Sequence, residues 1–435
     1  MKRPNENLSI LVLHRLGDPE SAISFLKHHV FSLSNYQPEN NYLYHDVSLP
    51  LPEYVKAIAF DLIVLDVTLL CSRWRPKADF EELKREYNFV AGSNAVKIAF
   101  PQDEYDCNEL LDSWMCEWNV DIVFSVISKH WDILYPNYSK IGRIQLGYTG
   151  YIDRSLIDFP LKPFNERTID IGYRARKLPP YFGRIGETKW TIGRDVLALS
   201  KHYGLNSDIV LGGQGVLIGN QWLEFINNSK FTLGSNSGSS LLDPRGEIQQ
   251  AVRGYIAGFP EADFKEVEEH CFKGLDGHYT FTAISPRVLE AAMLKSCQIL
   301  VEGDYSGLIR PWEHYIPLKE DLSNMSEVVS AMNDLSLVSR MCEQCRSVLL
   351  DCKGLHYETR AQKIITITRE LAAFKKLNAS PEISKQAIIR YDDEMKYKYL
   401  LHWNKDKLRR KLVKAIDKVP AISKIVRSVY YKIKN

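Results

Sequence analysis

One pattern limits this chain more than any other: short strand-like runs alternate with helical stretches, and the series occurs twice. Apolar runs at 8–13, 42–47, 62–67, 96–100, 121–126 and 143–146 are separated by stretches of helical spacing such as 21–30, 80–87 and 108–118. A parallel strand is reached only by a crossover, so this alternation predicts βαβ units wound into a parallel sheet. Asp158-Phe159-Pro160-Leu161-Lys162-Pro163 then reads as a linker, since proline cannot donate to a sheet ladder. A second series opens with Thr168-Ile169-Asp170-Ile171-Gly172-Tyr173. It continues through helices at 190–202 and 221–228 and strands at 209–211, 231–234 and 298–301. At 435 residues the chain exceeds what one core ordinarily serves. The expected fold is α/β, with two doubly wound domains facing a cleft.

The expected divisions are 1–160 and 161–325 for the two domains, 326–386 for helices packing back across them, and 387–435 for a basic amphipathic helical tail. The net charge of +2 conceals that tail: residues 396–435 hold 13 Lys and Arg against two Asp, a local +11, which leaves the rest at −9. An acidic body argues against a nucleic-acid partner. The tail argues for something anionic. Leu408, Leu412, Ile416 and Val419 recur at helical spacing among lysines and arginines, with Trp403, Tyr430 and Tyr431 alongside. That is the pattern of a helix lying on an anionic membrane surface, against the plainer reading of a helix packed on the body. No apolar run approaches the roughly 20 residues of a membrane span. The first residues lack a secretion signal, and the eight cysteines form no disulfide framework. The expected location is cytoplasmic, peripheral on the inner face of the cell membrane.

The strongest chemical signal is Thr282-Ala283-Ile284-Ser285-Pro286-Arg287-Val288-Leu289-Glu290-Ala291-Ala292-Met293. A strand runs into a helix with Ser285 as N-cap and Pro286 at the first position, where a missing N–H costs nothing. Such a helix start presents free N–H groups and the positive end of the helix dipole to a phosphate. Arg287 adds a planar guanidinium, and Glu290 offers acceptors for sugar hydroxyls. A capped helix carrying a surface Arg–Glu pair is the competing explanation.

Together with Ser296-Cys297-Gln298-Ile299-Leu300-Val301-Glu302-Gly303 and Glu313-His314-Tyr315-Ile316-Pro317-Leu318, this segment resembles the end of the C-terminal domain in GT-B fold glycosyltransferases. Those of bacterial surface-polysaccharide (O-antigen or capsule) assembly are the nearest group. The resemblance implies two Rossmann-like domains, an N-terminal one for the acceptor and a C-terminal one for the donor. It implies Arg287 and Glu290 as donor ligands, with Glu290 on the ribose. Many retaining members carry a second Glu eight positions earlier, where this chain has Thr282, and the glycine-rich loop after the first strand is reduced to Gly17.

Two further stretches join the expected donor side. Gly172-Tyr173-Arg174-Ala175-Arg176-Lys177 sets Arg174, Arg176 and Lys177 just after a strand, where cations stabilise a leaving diphosphate. Arg184 and Lys189 are additional candidates. Gly234-Ser235-Asn236-Ser237-Gly238-Ser239-Ser240 offers small residues and hydroxyls from Ser235, Asn236, Ser237 and Gly238, but no P-loop lysine. For a catalytic base, Asp103 and Glu104 follow the strand at 96–100 and His14 follows the first strand. Asp103 or Glu104 is preferred, with capping of a helix near Tyr105 as the alternative. His278 is a weaker candidate, grouped with the donor residues, and His314 reads as a loop-orienting group. Cys342-x-x-Cys345 lacks partners for a zinc site and reads as packing, so neither metal nor cofactor is expected.

The expected function is transfer of a sugar from an activated donor, a nucleotide sugar, to a lipid-linked or growing bacterial polysaccharide. A phosphoribosyl diphosphate donor, a nucleotide-sugar epimerase and a non-catalytic scaffold are the alternatives.

Overall fold

The computed structural model describes residues 7–212, 215, 217, 219–375 and 381–417. Six strands, β1 (Ser9–His14), β2 (Asn41–Asp46), β3 (Leu62–Leu65), β4 (Val96–Ala99), β5 (Ile122–Ser125) and β6 (Arg143–Leu146), form a parallel sheet ordered β2-β1-β3-β4-β5-β6. The chain continues with β7 (Ile169–Ala175), β8 (Ser207–Leu211), β9 (Ser229–Gly234), β10 (Ser237–Ser239), β11 (Phe281–Ala283), β12 (Cys297–Val301) and β13 (Ile316–Leu318). Five of these make a second parallel sheet, β13-β12-β9-β7-β8, while β10 and β11 pair antiparallel apart from both.

Both sheets are buried on both faces, as helical crossovers on either side require. Along β1 the side chains alternate: Leu11 and Leu13 enter one core, Ile10 and Val12 the other. The first core takes Trp114 and Met115 from the helix Asn108–Glu117. The second takes Val30 and Leu33 from the helix Ser24–Tyr36. The strand order reverses between β1 and β3 in one sheet and between β7 and β9 in the other. Loops leave in opposite directions there and open a crevice at the carboxyl ends. Two such sheets facing one cleft are the GT-B arrangement that the sequence resemblance implied.

The last helices stitch the halves together. Leu335–Asp351 covers the second sheet with Val338 and Met341. Tyr357–Lys375 crosses back and buries Ala361, Ile364 and Ile365 against the first. Where the chain passes between the halves the two passages bond to each other: Ile152 donates its N–H to Leu355 (2.7 Å) and Tyr357 donates to Ile152 (3.2 Å). A second link joins the halves elsewhere: Cys107 N–H donates to Asp243 O at 2.8 Å and Asp243 N–H to Tyr105 O at 2.9 Å.

The C-terminal tail departs from expectation. The helix Pro381–Asp417 begins before residue 387, and its first half docks on the first domain: Ile388, Tyr391 and Met395 are buried in that core. Ser384 Oγ donates to Ala59 O, Tyr391 Oη meets His45 Nδ1, and Tyr399 Oη accepts from Asp46 N–H. These contacts run from the loop before β3 to the carboxyl end of β2. Trp403, read from sequence as an interfacial anchor, instead stacks on Tyr399. Beyond it Lys405, Lys407, Leu408 and Arg409 are exposed. At about 1.5 Å per residue the helix continues past the carboxyl edge of the sheet. Residues 418–435, with Tyr430 and Tyr431, lie outside the described residues. Among the described residues no helix is long and apolar enough to cross a membrane.

Candidate functional site

A cavity of about 520 Å³ lies between the carboxyl ends of the two sheets. Its donor-side wall is the helix Pro286–Met293. Ser285 adopts extended backbone and its Oγ accepts from Arg287 N–H, with Pro286 at the first helical position. The helix is held down by Val288, Leu289, Ala291, Ala292 and Met293, all buried, so its first turn is fixed against the cleft. It ends at Met293, and Lys295, with a positive φ of 50°, turns the chain toward β12.

Arg287 and Glu290 both face this cavity, and one aromatic side chain organises them. Trp222, from the helix Asn220–Asn227, donates its indole Nε1–H to Glu290 Oε2 at 2.7 Å, while the Arg287 guanidinium lies 5.1 Å from the centre of its ring. Arg174 extends the stack: its guanidinium sits 4.0 Å from the centre of Phe225, which tilts against Trp222. Arg287 Nη1 donates to Arg174 O. Burial raises the Glu290 carboxyl to about 7, while the Trp222 hydrogen bond and the Arg287 charge pull it down.

Arg174 lies inside β7 rather than in a loop after it, and Asp208 pairs with its guanidinium at 2.9 Å. It borders the cavity, as does exposed Arg176; Lys177 does not. Lys189, from the helix Gly183–His202, borders the cavity, and its ammonium has no hydrogen-bond partner among the described residues. Burial lowers it to about 8, Asp103 raises it, and Arg287 lowers it.

The acceptor-side wall includes Asp103, which holds a left-handed φ of 48° that non-glycine residues seldom adopt. Arg73 fixes that loop. Its buried guanidinium donates to the carbonyls of Leu70 (3.0 Å), Gln102 (2.9 Å), Asp103 (2.8 Å) and Asp106 (3.0 Å). Four carbonyls gathered on one cation over-determine the turn, which is how such strain persists. Asp103 Oδ1 accepts from Tyr105 Oη at 2.5 Å, and its carboxylate faces Lys189 across the cavity.

Several expected site residues are elsewhere. Glu104 is fully buried, accepting from Tyr135 Oη at 2.6 Å and from Val126 N–H at 2.9 Å, and desolvation raises it to about 7. It is a core carboxyl and cannot reach an acceptor. His14 is buried too; its Nδ1 accepts from Leu16 N–H, and burial lowers its pKa, so it stays neutral. His278 is exposed and bonds Gly274 O at 2.7 Å, away from the cavity. Ser235, Ser237 and Gly238 border the cavity, but as the approach to and first half of β10 rather than a free turn. Asn236 turns away to donate to Glu302 O. The helix expected near Tyr105 begins at Asn108. His314 orients its loop by accepting from Arg310 N–H.

Trp222 and Phe225 were not anticipated. Their signal was present as four glycines at 212, 213, 215 and 219, between a strand and a helix. Gly212, Gly215 and Gly219 have φ of 101°, 74° and 59° and border the cavity. Cys342 and Cys345 are packing residues in the helix Leu335–Asp351, as the sequence suggested. Among the described residues no group of three or more His, Cys, Asp or Glu is placed to hold a metal ion.

No protein-family model matches the sequence, and no curated protein matches it. Among solved structures, similar chains include an alpha-glucosyltransferase in complex with UDP and a 13-mer DNA containing a HMU base. It is 8% identical, with 83% of this chain and 99% of that chain covered and a TM-score of 0.49. Sucrose-phosphate synthase from Thermosynechococcus elongatus is 12% identical, with coverages of 84% and 100% and a TM-score of 0.49. Anabaena HepE in complex with UDP and glucose is 10% identical, with coverages of 84% and 100% and a TM-score of 0.42. Likeness at such identities concerns fold, and function is argued from the site.

Proposed function

We propose that this chain transfers a sugar from a nucleotide-sugar donor to a lipid-linked or growing bacterial polysaccharide in the cleft between its sheets. The observation that carries the reading is the joint presentation of Arg287 and Glu290 on a capped helix start, both fixed by Trp222 in one cavity. Glu290 holds the donor ribose through its hydroxyls. Arg287, Arg176 and Lys189 face the diphosphate and stabilise the charge that develops as it leaves. These fixed cations supply the electrostatics, so the reaction proceeds without a metal, and activity undiminished by EDTA is expected. Asp103 lies on the opposite wall, where it accepts the proton of the attacking hydroxyl.

The acceptor meets the enzyme at a membrane. The exposed Lys405, Lys407 and Arg409 flank Leu408, which is 60% exposed, and rest on anionic lipid at the cytoplasmic face. Truncation after Asn404 tests this without removing Met395 and Tyr399 from the first domain. Flotation of the truncated chain with anionic vesicles as efficiently as the full chain would reject the membrane contact.

The test of the chemistry is incubation with a panel of UDP-, GDP-, ADP- and dTDP-sugars, followed by nucleotide release with and without acceptor. Release that rises with acceptor supports transfer. Product without acceptor supports epimerisation, and neither outcome supports a scaffold. A folded Glu290→Ala variant that transfers sugar at the wild-type rate removes the donor assignment.

A further inference from the structure

The helix Pro381–Asp417 carries two apolar faces, and the fold covers one of them. At about 100° per residue, Ile388, Tyr391, Met395 and Tyr399 share one side, which packs on the first domain. Ile389, Tyr397, Leu400, Leu401 and Leu408 share the opposite side, and all five are exposed. Tyr397 and Leu401, one turn apart, are 70% and 69% exposed, so no described residue covers them. A single exposed leucine is ordinary, whereas a row of apolar side chains on one face marks a contact surface.

Charge borders that row on both sides. Lys385, Lys396 and Lys407 recur every eleven residues, about three turns, so they form a line along one edge of the apolar face. Arg390 and Lys405 lie toward the other edge, and all five cations are exposed. From residue 385 to 409 the exposed charges are seven Lys and Arg against two Asp. The half-buried Glu394 is taken by Lys398 at 2.8 Å. Asp393 interrupts the row between Ile389 and Tyr397, so the apolar surface is densest from Tyr397 to Leu408.

An apolar face edged with lysines suits an anionic lipid surface. The apolar side chains enter the boundary of the acyl region, while the lysine stems lie along it and carry their ammonium groups to the headgroups. A second copy of the chain suits this face less well. Antiparallel pairing about Leu400 and Leu401 sets Lys396 against Lys405, and parallel pairing sets each lysine of the line against its own counterpart. Like charges brought together oppose both arrangements.

We propose that the outward face of the docked helix, formed by Tyr397, Leu400 and Leu401 and continuous with Leu408, is a lipid-binding surface that holds the first domain against an anionic membrane. The exposed helix end proposed above attaches the chain; the docked part also orients it. Because the opposite face of the helix is packed on the first domain, the bilayer lies on the side of the first sheet whose core holds Leu11 and Leu13. The helix Tyr357–Lys375, which packs with Ile10 and Val12, lies on the side turned away from it. The link to a lipid-linked acceptor rests on the transfer reading above; the lipid contact itself does not.

The test uses the full chain and flotation with phosphatidylcholine vesicles, with and without phosphatidylglycerol. The double variant Leu400→Ser, Leu401→Ser removes apolar area from the outward face and leaves every charge in place. Tyr397→Ser does the same at a more exposed position, and thermal melting confirms that each variant is folded. The double variant is expected to weaken binding to phosphatidylglycerol vesicles about tenfold or more, the scale of withdrawing two leucines from an apolar contact. Lys385→Gln with Lys396→Gln is expected to reduce the dependence on phosphatidylglycerol. Wild-type flotation in both serine variants, or no flotation of the wild type, overturns the lipid surface. A wild-type dimer in light scattering that becomes a monomer in the double variant assigns the face to a second copy and overturns it too. Failure of the helix-end contact is separate, because it appears in truncation after Asn404 and not in the serine variants. Failure of the transfer reading appears in nucleotide release and leaves flotation unchanged.

Discussion

The indole N–H of Trp222 donates to Glu290 Oε2 at 2.7 Å while the face of the same ring receives the Arg287 guanidinium. One side chain therefore sets both the orientation of the acid and the position of the cation. Trp222→Phe keeps an aromatic face and deletes the donor. Because that hydrogen bond pulls the Glu290 pKa down, its loss moves the pKa above 7. Donor binding through ionised Glu290 is expected to weaken at pH 7. The acid limb of the kcat/KM profile should shift to higher pH, which a purely steric defect would not produce.

Glu290→Gln removes the titration altogether. The expected loss is on the order of tenfold to a hundredfold in donor affinity at pH 8, from hydrogen bonds to a charged acceptor. The variant should show no acid limb near pH 7. Isothermal titration with the nucleotide product across pH 5–8 measures both; a limb that persists in the variant would assign it to another group.

Lys189 supplies the opposite limb. Its ammonium is lowered to about 8, so activity that needs the charge declines above that pH. Lys189→Arg stays charged and should extend the plateau upward. Asp103→Asn withdraws the carboxylate that raises Lys189, so the alkaline limb of nucleotide binding, which needs no base, should move down. Opposite shifts in these two variants, read from nucleotide affinity against pH, are the decisive outcome.

Glu104 makes a stability prediction. Its carboxyl is raised from 4.5 in the unfolded chain to about 7 in the folded protein, so the folded state binds more protons between those values. The contribution of this group is fully present below pH 4.5 and is lost as pH rises through 7. At about 1.4 kcal/mol per pKa unit the change is roughly 3 kcal/mol. Thermal melting of Glu104→Gln from pH 5 to 8 should show a correspondingly flatter slope than the wild type.

Met395 is buried in the first domain from a helix that the sequence assigned to a separate tail. Met395→Ala is expected to destabilise that domain by about 2–5 kcal/mol through transfer and cavity terms. A surface-helix contribution would be near zero. Urea denaturation distinguishes the two.

The parts of the fold that were legible in the sequence are those where local pattern and tertiary burial agree. Ile10, Leu11, Val12 and Leu13 read as a buried strand because both faces of the sheet are covered. Ser285 and Pro286 read as a helix start because capping is a local property. Position in space was less legible. Asp103 and Glu104 are adjacent in sequence, yet the positive φ at Asp103, held by Arg73, leaves Asp103 at the cleft while Glu104 is buried in the core. Trp222 escaped notice because its role depends on a partner 68 residues away. The tail misled because Ile388, Tyr391 and Met395 find their cover on β2, which no pattern within the helix encodes.

The two halves are joined at Ile152–Leu355–Tyr357 and again at Tyr105–Asp243–Cys107. Halves joined at two places cannot swing apart about one of them while the other holds. On the transfer reading proposed above, exchange of spent for fresh substrate would follow local opening at the second fastening. That fastening includes three backbone hydrogen bonds (Cys107 to Asp243, Asp243 to Tyr105 and Glu109 to Pro244), the Gln249 amide on Asp106 at 2.8 Å, and the Arg245–Glu109 pair at 2.7 Å. Turnover limited in this way would keep the rhythm of that unlatching, even with a fast bond-making step.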